Sequence, residues 1–253
     1  MLGKVLKYDI KASAKMFLPL YLGVLVITAL AKVSVEVLVE VDNLLLSILS
    51  GTSILLYVAA LFGLMIMTVI FLIIRFYKNF LTDEAYLTFT LPVKTSTLIV
   101  SKQLNGILWN LLTMVVLAAA VGGMFGKEIW ENRELLQSGW REIYTEIKVF
   151  VTPVVTVGGI ISIILSLLFN LSTIYASLSI GQMYTKHKIL GAIIAYIGIH
   201  VVLNMFGNVV LTIVDWTESV DVYMIYSVIE QLVVGAAGLG ITYYFLKNKL
   251  NLE

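Results

Sequence analysis

Long apolar runs alternate with short polar joints along most of this chain. Six runs approach the roughly 20 apolar residues a helix needs to cross a hydrocarbon core at about 1.5 Å rise per residue. They cover residues 16–31, 51–74, 104–125, 151–175, 189–214 and 223–246. The first reaches full length only if Lys32 snorkels and residues 33–39 extend it, and the fourth can continue to Ser179. The pattern predicts an all-α, polytopic membrane protein with six transmembrane helices, read as one domain over residues 1–253.

Two further stretches are helical but amphipathic. Near the N-terminus Lys4, Lys7, Lys11 and Lys15 fall within an arc of roughly 80° at about 100° per residue, with Leu2, Leu6, Ile10 and Phe17 opposite. Asp9, near the apolar side, breaks the pattern. Residues 1–15 are expected to form a surface helix, lysines toward anionic headgroups and apolar side chains in the acyl boundary. A basic leader that only fixes topology is the plainer alternative. Between the third and fourth spans, Ile129, Leu136, Trp140, Ile143, Ile147 and Phe150 follow steps of 7, 4, 3, 4 and 3. Segment 126–150 thus reads as an amphipathic helix with Trp130 and Trp140 in an interfacial belt. It either caps a path or lies on the bilayer.

Composition agrees with this class. The chain is 60% hydrophobic and 13% charged, with a mean hydropathy of +0.98, against roughly 25% charged residues in soluble domains. It has no cysteine, which excludes disulfides, thiolate chemistry and cysteine metal sites. A net charge of +1 gives no reason to expect nucleic acid. The first apolar run resembles a signal peptide, but no small-x-small cleavage pattern follows it, so it is expected to be retained.

The distribution of charge says more than its total. With the N-terminus inside, twelve of the 17 basic residues face the cytoplasm: Lys4, Lys7, Lys11, Lys15, Arg75, Lys78, Lys94, Lys102, Lys186, Lys188, Lys247 and Lys249. Carboxylates show the reverse bias, with Asp9, Asp83, Glu84 and Glu253 inside, eleven outside and Glu230 within the last span. Both termini are therefore expected to be cytoplasmic.

The inner segment between the second and third spans, residues 75–103, contains "TDEAYLTFTLPVKTSTLIVSK". Arg75 and Lys78 close the second span; Phe76, Tyr77, Phe80 and Leu81 give a short amphipathic turn. Leu87, Phe89 and Leu91 alternate with polar neighbours as a strand would, but a lone strand has nothing to pair with. A short helix ending before Pro92 is preferred, with Leu91 held extended by the proline and Thr95 or Ser96 capping the next helix. On these residues alone, a solvated loop and a docking element for a partner protein stand level.

The string "DEAYLTFTLPVKTSTLIVSKQL" resembles the signature of exporter-type ATP-binding cassette (ABC) transporter permease subunits of Gram-positive bacteria. Glu84, Leu91, Pro92, Val93 and Lys102 carry the match, and relatives often hold glycine where Ala85 stands. The six-span layout, basic N-terminal helix and "LKNKLNLE" end are similar in a looser way. The resemblance implies a bacterial cell membrane location and a cytoplasmic coupling helix docked in a separate ATPase subunit. Its coupling residues would be Phe80, Asp83, Glu84, Tyr86, Phe89, Leu91 and Pro92, with carboxylates for basic groove residues and aromatic anchors. It also implies a second permease, identical or a sister chain. ATP and Mg would sit on the partner ATPase; this chain would bind no cofactor and have no catalytic residue. Relatives are associated with export, sometimes of antimicrobial peptides or lipids.

The remaining motifs support no enzyme. "GGMFGKE" lacks the spacing and the final Ser or Thr of a phosphate-binding loop, although Gly122 and Gly126 suit a close helix crossing. His187 and His200 lack the neighbours of an intramembrane metalloenzyme. Glu230, an ionisable group within a span, requires a cavity, a partner or a proton. His200, Asn204 and Asn208 recur at four-residue steps in the fifth span. With Glu230 they are candidates for a translocation path or a permease–permease contact; hydrogen bonding between helices is the plainer account. Asn110 and Asn170 read as local helix glue. Gly235, Gly238 and Gly240 form a small-residue patch suited to close packing. The competing function is an ATP-independent, ion-coupled membrane carrier using Glu230 and His200, which would be expected to carry inverted repeats.

Overall fold

The computed structural model describes residues 1–38, 44–148, 150–184, 187–215 and 219–249. Val39, Glu40, Asp42, Lys186, Glu218 and Glu253, which enter the span and charge readings, lie outside the described residues, as do the last four residues of the C-terminal string. Eight helices follow in order: α1 Leu2–Leu38, α2 Leu44–Leu81, α3 Glu84–Thr90, α4 Thr95–Glu131, α5 Arg133–Ile147, α6 Pro153–Gly181, α7 Lys188–Asp215 and α8 Val220–Asn248. All except α3 and α5 are long and apolar enough to cross a membrane. Large apolar side chains such as Leu22, Phe62 and Phe206 stand exposed along them. Water disfavours such surfaces and acyl chains match them, while every helical backbone group is satisfied internally. The chain is a multi-pass membrane protein.

The expected N-terminal surface helix and the first span are one continuous helix. Its buried stripe runs through Asp9, Ser13, Phe17, Tyr21, Val24, Thr28 and Ala31 at three- and four-residue steps, while Lys4, Lys7, Lys11 and Lys15 remain exposed. Asp9 therefore does not mar an apolar face; it belongs to the interior stripe. Pro19 removes one backbone donor inside α1 without ending it.

Segment 126–150 is not one helix. Residues 126–131 finish α4, and the Asn132 side-chain amide donates to the Glu128 carbonyl at 2.9 Å where that helix stops. Such local side-chain bonds compete with helix continuation. Ile129 is thereby separated from the stripe on α5, a helix with no buried residue.

The described residues form two compact units. One comprises Tyr8–Leu72 and Leu108–Tyr144. Its core is aromatic: Phe17, fully buried, stacks on Trp109 at 4.5 Å and meets the edge of Phe71. The Tyr21 hydroxyl donates to the Trp109 carbonyl and touches Thr113 at 2.8 Å, and Thr113 in turn meets Thr68. These hydroxyls satisfy one another where lipid offers no partner. Lys32, expected to snorkel, donates to the Met124 carbonyl and pairs with Glu36 at 3.5 Å.

The other unit comprises Met1–Lys7, Ile73–Ile107 and Thr145–Glu253. Small residues bring its helices together. A Cβ on Gly238 would stand 2.9 Å from the Ser172 carbonyl oxygen, and one on Gly235 would meet Leu168 at 3.3 Å, so α8 lies close on α6. Gly240 has nothing within 4 Å and takes no part. The same holds for Gly122 and Gly126, so their spacing serves no described helix crossing.

Candidate functional site

Two features of this second unit carry the residues singled out in the sequence. The first is the α2–α3–α4 junction. Leu91, with φ −63° and ψ 138°, is extended before Pro92 as expected, and ends α3 after seven helical residues. The Val93 N–H donates to the Leu91 carbonyl at 2.7 Å, turning the chain so tightly that α4 begins at Thr95. The Lys94 carbonyl accepts the first α4 bond, from Leu98 at 3.3 Å. Lys94 is thus the cap, and Thr95 and Ser96 fall in the first turn instead.

The junction's polar residues are occupied locally. Thr82, Thr88 and Thr90 donate their hydroxyls to the carbonyls of Lys78, Glu84 and Leu87. A relay then ties the three helices: Lys102 Nζ on α4 donates to Asn79 Oδ1 on α2 at 2.7 Å, and Asn79 Nδ2 donates to Glu84 Oε2 on α3 at 3.1 Å. Lys102 is only 7% exposed and also lies 5.9 Å from the Phe80 ring centre. Its charge is thereby held inside the junction by a hydrogen bond and a ring face. Gln103 Nε2 reaches the Leu168 carbonyl at 3.1 Å, fixing α4 to α6.

The aromatic residues divide in an unexpected way. Phe80, expected as an exposed anchor, is fully buried, against Phe76 at 5.0 Å and Phe89 at 5.8 Å. Phe76 stacks on Tyr175 of α6 at 4.1 Å. Phe80 is therefore a packing post, not a contact surface, because α2 continues helically to Leu81 and turns it inward. Phe89 is half-buried on the same side, in register with buried Ala85 at helical spacing. The outward face consists of Asp83, Tyr86, Leu87, Leu91 and Pro92, with Glu84 at its edge; Tyr86 is 67% and Leu87 74% exposed. Leu87 was missed. The alternating pattern groups it with Phe89, whereas a 3.6-residue period groups it with Asp83 and Tyr86.

The second feature is a cleft of about 240 Å³ among α6, α7 and α8. It brings together Glu230, His200, Asn204 and Asn208, the four residues proposed for a path, and adds Tyr223, Tyr226 and Phe169. Tyr226 stands one turn before Glu230 and lines the cleft with it. The His200 ring lies 4.3 Å from Tyr196 and 6.2 Å from Phe169. Asn204 gives its amide to the His200 carbonyl at 2.7 Å, as helix glue would. Asn170 does the same within α6. Gln231, adjacent to Glu230, turns away to Ser162 of α6 at 2.8 Å. Among the described residues no cluster of three or more metal-ligating side chains occurs.

Compared with known proteins, the chain matches no family model, no curated protein and no solved structure.

Proposed function

We propose that this chain is the membrane-spanning permease subunit of an ABC transporter, an exporter driven by a separate ATPase. The observation that carries the reading is the α2–α3–α4 junction. A seven-residue helix, bearing the signature-like string, is clamped between two long helices and presents Tyr86, Leu87 and two carboxylates outward. A clamped element of this kind passes on a rigid-body displacement instead of absorbing it. Exposed aromatic and aliphatic side chains beside carboxylates suit a partner groove with apolar pockets and basic residues. In this reading the junction and both termini are cytoplasmic, and the ATP and Mg belong to the partner.

The test is capture of the motor. A cysteine at Tyr86 or Leu87, in a chain with none of its own, should cross-link to an ABC ATPase co-expressed with it. Leu87→Asp should weaken that association about tenfold, the loss of one good apolar anchor. Transport by reconstituted chain with ATP absent, and no cross-link at either position, would replace this reading with the ion-coupled carrier.

A further inference from the structure

We infer that the cleft between α7 and α8 binds a primary ammonium group, R–NH3⁺, carried by a lipid headgroup or by a small soluble amine. Such a site would serve the protein however it is powered.

The balance of charge in the cleft leads to this ligand. Among the described residues that line it, Glu230 is the one carboxylate and there is no lysine or arginine. Tyr226, one helical turn before Glu230, lines the cleft beside it and carries no positive charge. An ionised carboxylate in a span is costly when no cation accompanies it. The wall is otherwise acceptor-rich and aromatic. His200 Nε2 is buried with no hydrogen-bond partner, and with the ring proton on Nδ1 it offers a lone pair. Asn204 donates its amide to its own helix, leaving its side-chain oxygen as the group it can present. Phe169, Tyr223 and Tyr226 line it with aromatic rings, whose faces attract an ammonium through their quadrupoles.

Size and depth narrow the choice further. A cleft of about 240 Å³ is many times the roughly 10–15 Å³ that holds one water in the same measure. It admits the head of an amine but not a folded or peptide cargo. A primary ammonium has three N–H donors, matching a carboxylate, an imidazole lone pair and an amide or phenol oxygen. A quaternary ammonium would leave those acceptors unmet. Glu230 lies ten residues from the start of α8, roughly 15 Å along a helix that, at 29 residues, exceeds a ~30 Å hydrocarbon core. The carboxylate is therefore beneath the interface, where a lipid amine dipping from the headgroup layer or a soluble amine can meet it.

The experiment uses the full chain in mild detergent with equal amounts of phosphatidylethanolamine and phosphatidylcholine, read by native mass spectrometry. Propylammonium is titrated in a parallel thermal-unfolding series, with tetramethylammonium as the comparison. Retention of phosphatidylethanolamine about tenfold above phosphatidylcholine, the worth of one charge-assisted hydrogen bond, identifies a lipid amine. Stabilisation by propylammonium above tetramethylammonium, without lipid selectivity, identifies a soluble one. In either case Glu230→Gln, which keeps shape, should abolish the preference, and His200→Phe should reduce it. If the wild type shows neither selectivity, or if Glu230→Gln retains it in full, the ammonium site is refuted. A Glu230→Gln chain that fails to fold leaves His200→Phe and Tyr223→Leu as the deciding variants; undiminished selectivity in both overturns the proposal.

Discussion

Lys102 shows how a single side chain converts an expensive position into a useful one. A lysine ammonium that is 7% exposed carries a desolvation cost unless it is hydrogen-bonded. Asn79 meets it and passes the contact to Glu84, so one cation fixes the relative placement of three helices. Replacing Asn79 with Leu should therefore lower the thermal-unfolding midpoint in detergent, since a buried charge loses an acceptor, at about 1–3 kcal/mol. Adding Lys102→Met should recover part of that loss, and a double-mutant cycle should read a coupling of about 1–2 kcal/mol. Strict additivity of the two changes would mean that the relay does not hold the junction. Gly238 makes a second point at this scale. A side chain there would press on the backbone of Ser172, which cannot move aside, so Gly238→Leu should destabilise by about 1–3 kcal/mol. Gly240→Leu, one turn-fraction away in open space, should be tolerated. Equal melting of the two variants would contradict the α6–α8 packing described above.

The helices themselves were largely legible in the sequence, and the reasons for the exceptions are physical. Apolar runs reveal where a span must lie, but not where a helix stops, because polar residues beyond the bilayer can continue the same backbone hydrogen bonds. Hence α1 absorbs the basic amphipathic stretch and α4 extends to Glu131. Pro92 was informative because its ring constrains the preceding residue whatever the surroundings. Phe80 was misread because an aromatic in a polar-flanked turn looks exposed in one dimension; only the fold places Phe76, Phe89 and Lys102 around it. Residues of the cleft were found through their cost in lipid, while Tyr223 and Tyr226 were not, since tyrosine near a span end has the ready alternative of an interfacial anchor. These distinctions give opposite expectations for two neighbours at the junction. Phe80→Ala should cost about 3–5 kcal/mol in stability by leaving a buried void. Leu87→Asp should leave the melting midpoint unchanged. Circular dichroism melts of both variants in the same detergent will separate a structural residue from a surface one.

For the whole molecule, the proposed orientation makes a prediction that needs no partner or cargo. In that orientation the N-terminus and the junction share the cytoplasmic side and α5 lies on the other. Because the chain has no cysteine, single cysteines at Gly3, Thr90 and Ser138 can be introduced without removing others. In intact cells a membrane-impermeant maleimide should label Ser138→Cys, and should reach Gly3→Cys and Thr90→Cys only after permeabilisation. Labelling of Thr90→Cys from outside would invert the charge-based topology and remove the junction from any cytoplasmic ATPase.

One consequence follows from how the short α3 is held. Thr88 and Thr90 give their hydroxyls to the carbonyls of Glu84 and Leu87, and the alignment of α3 comes from Asn79, Phe80, Glu84, Ala85 and Lys102, so neither Tyr86 nor Leu87 takes part in it. Tyr86 and Leu87 can therefore change identity with little penalty to folding. If that face engages an ATPase as proposed, a lineage could swap its engine by rewriting a few exposed letters, leaving the chassis beneath them as it was.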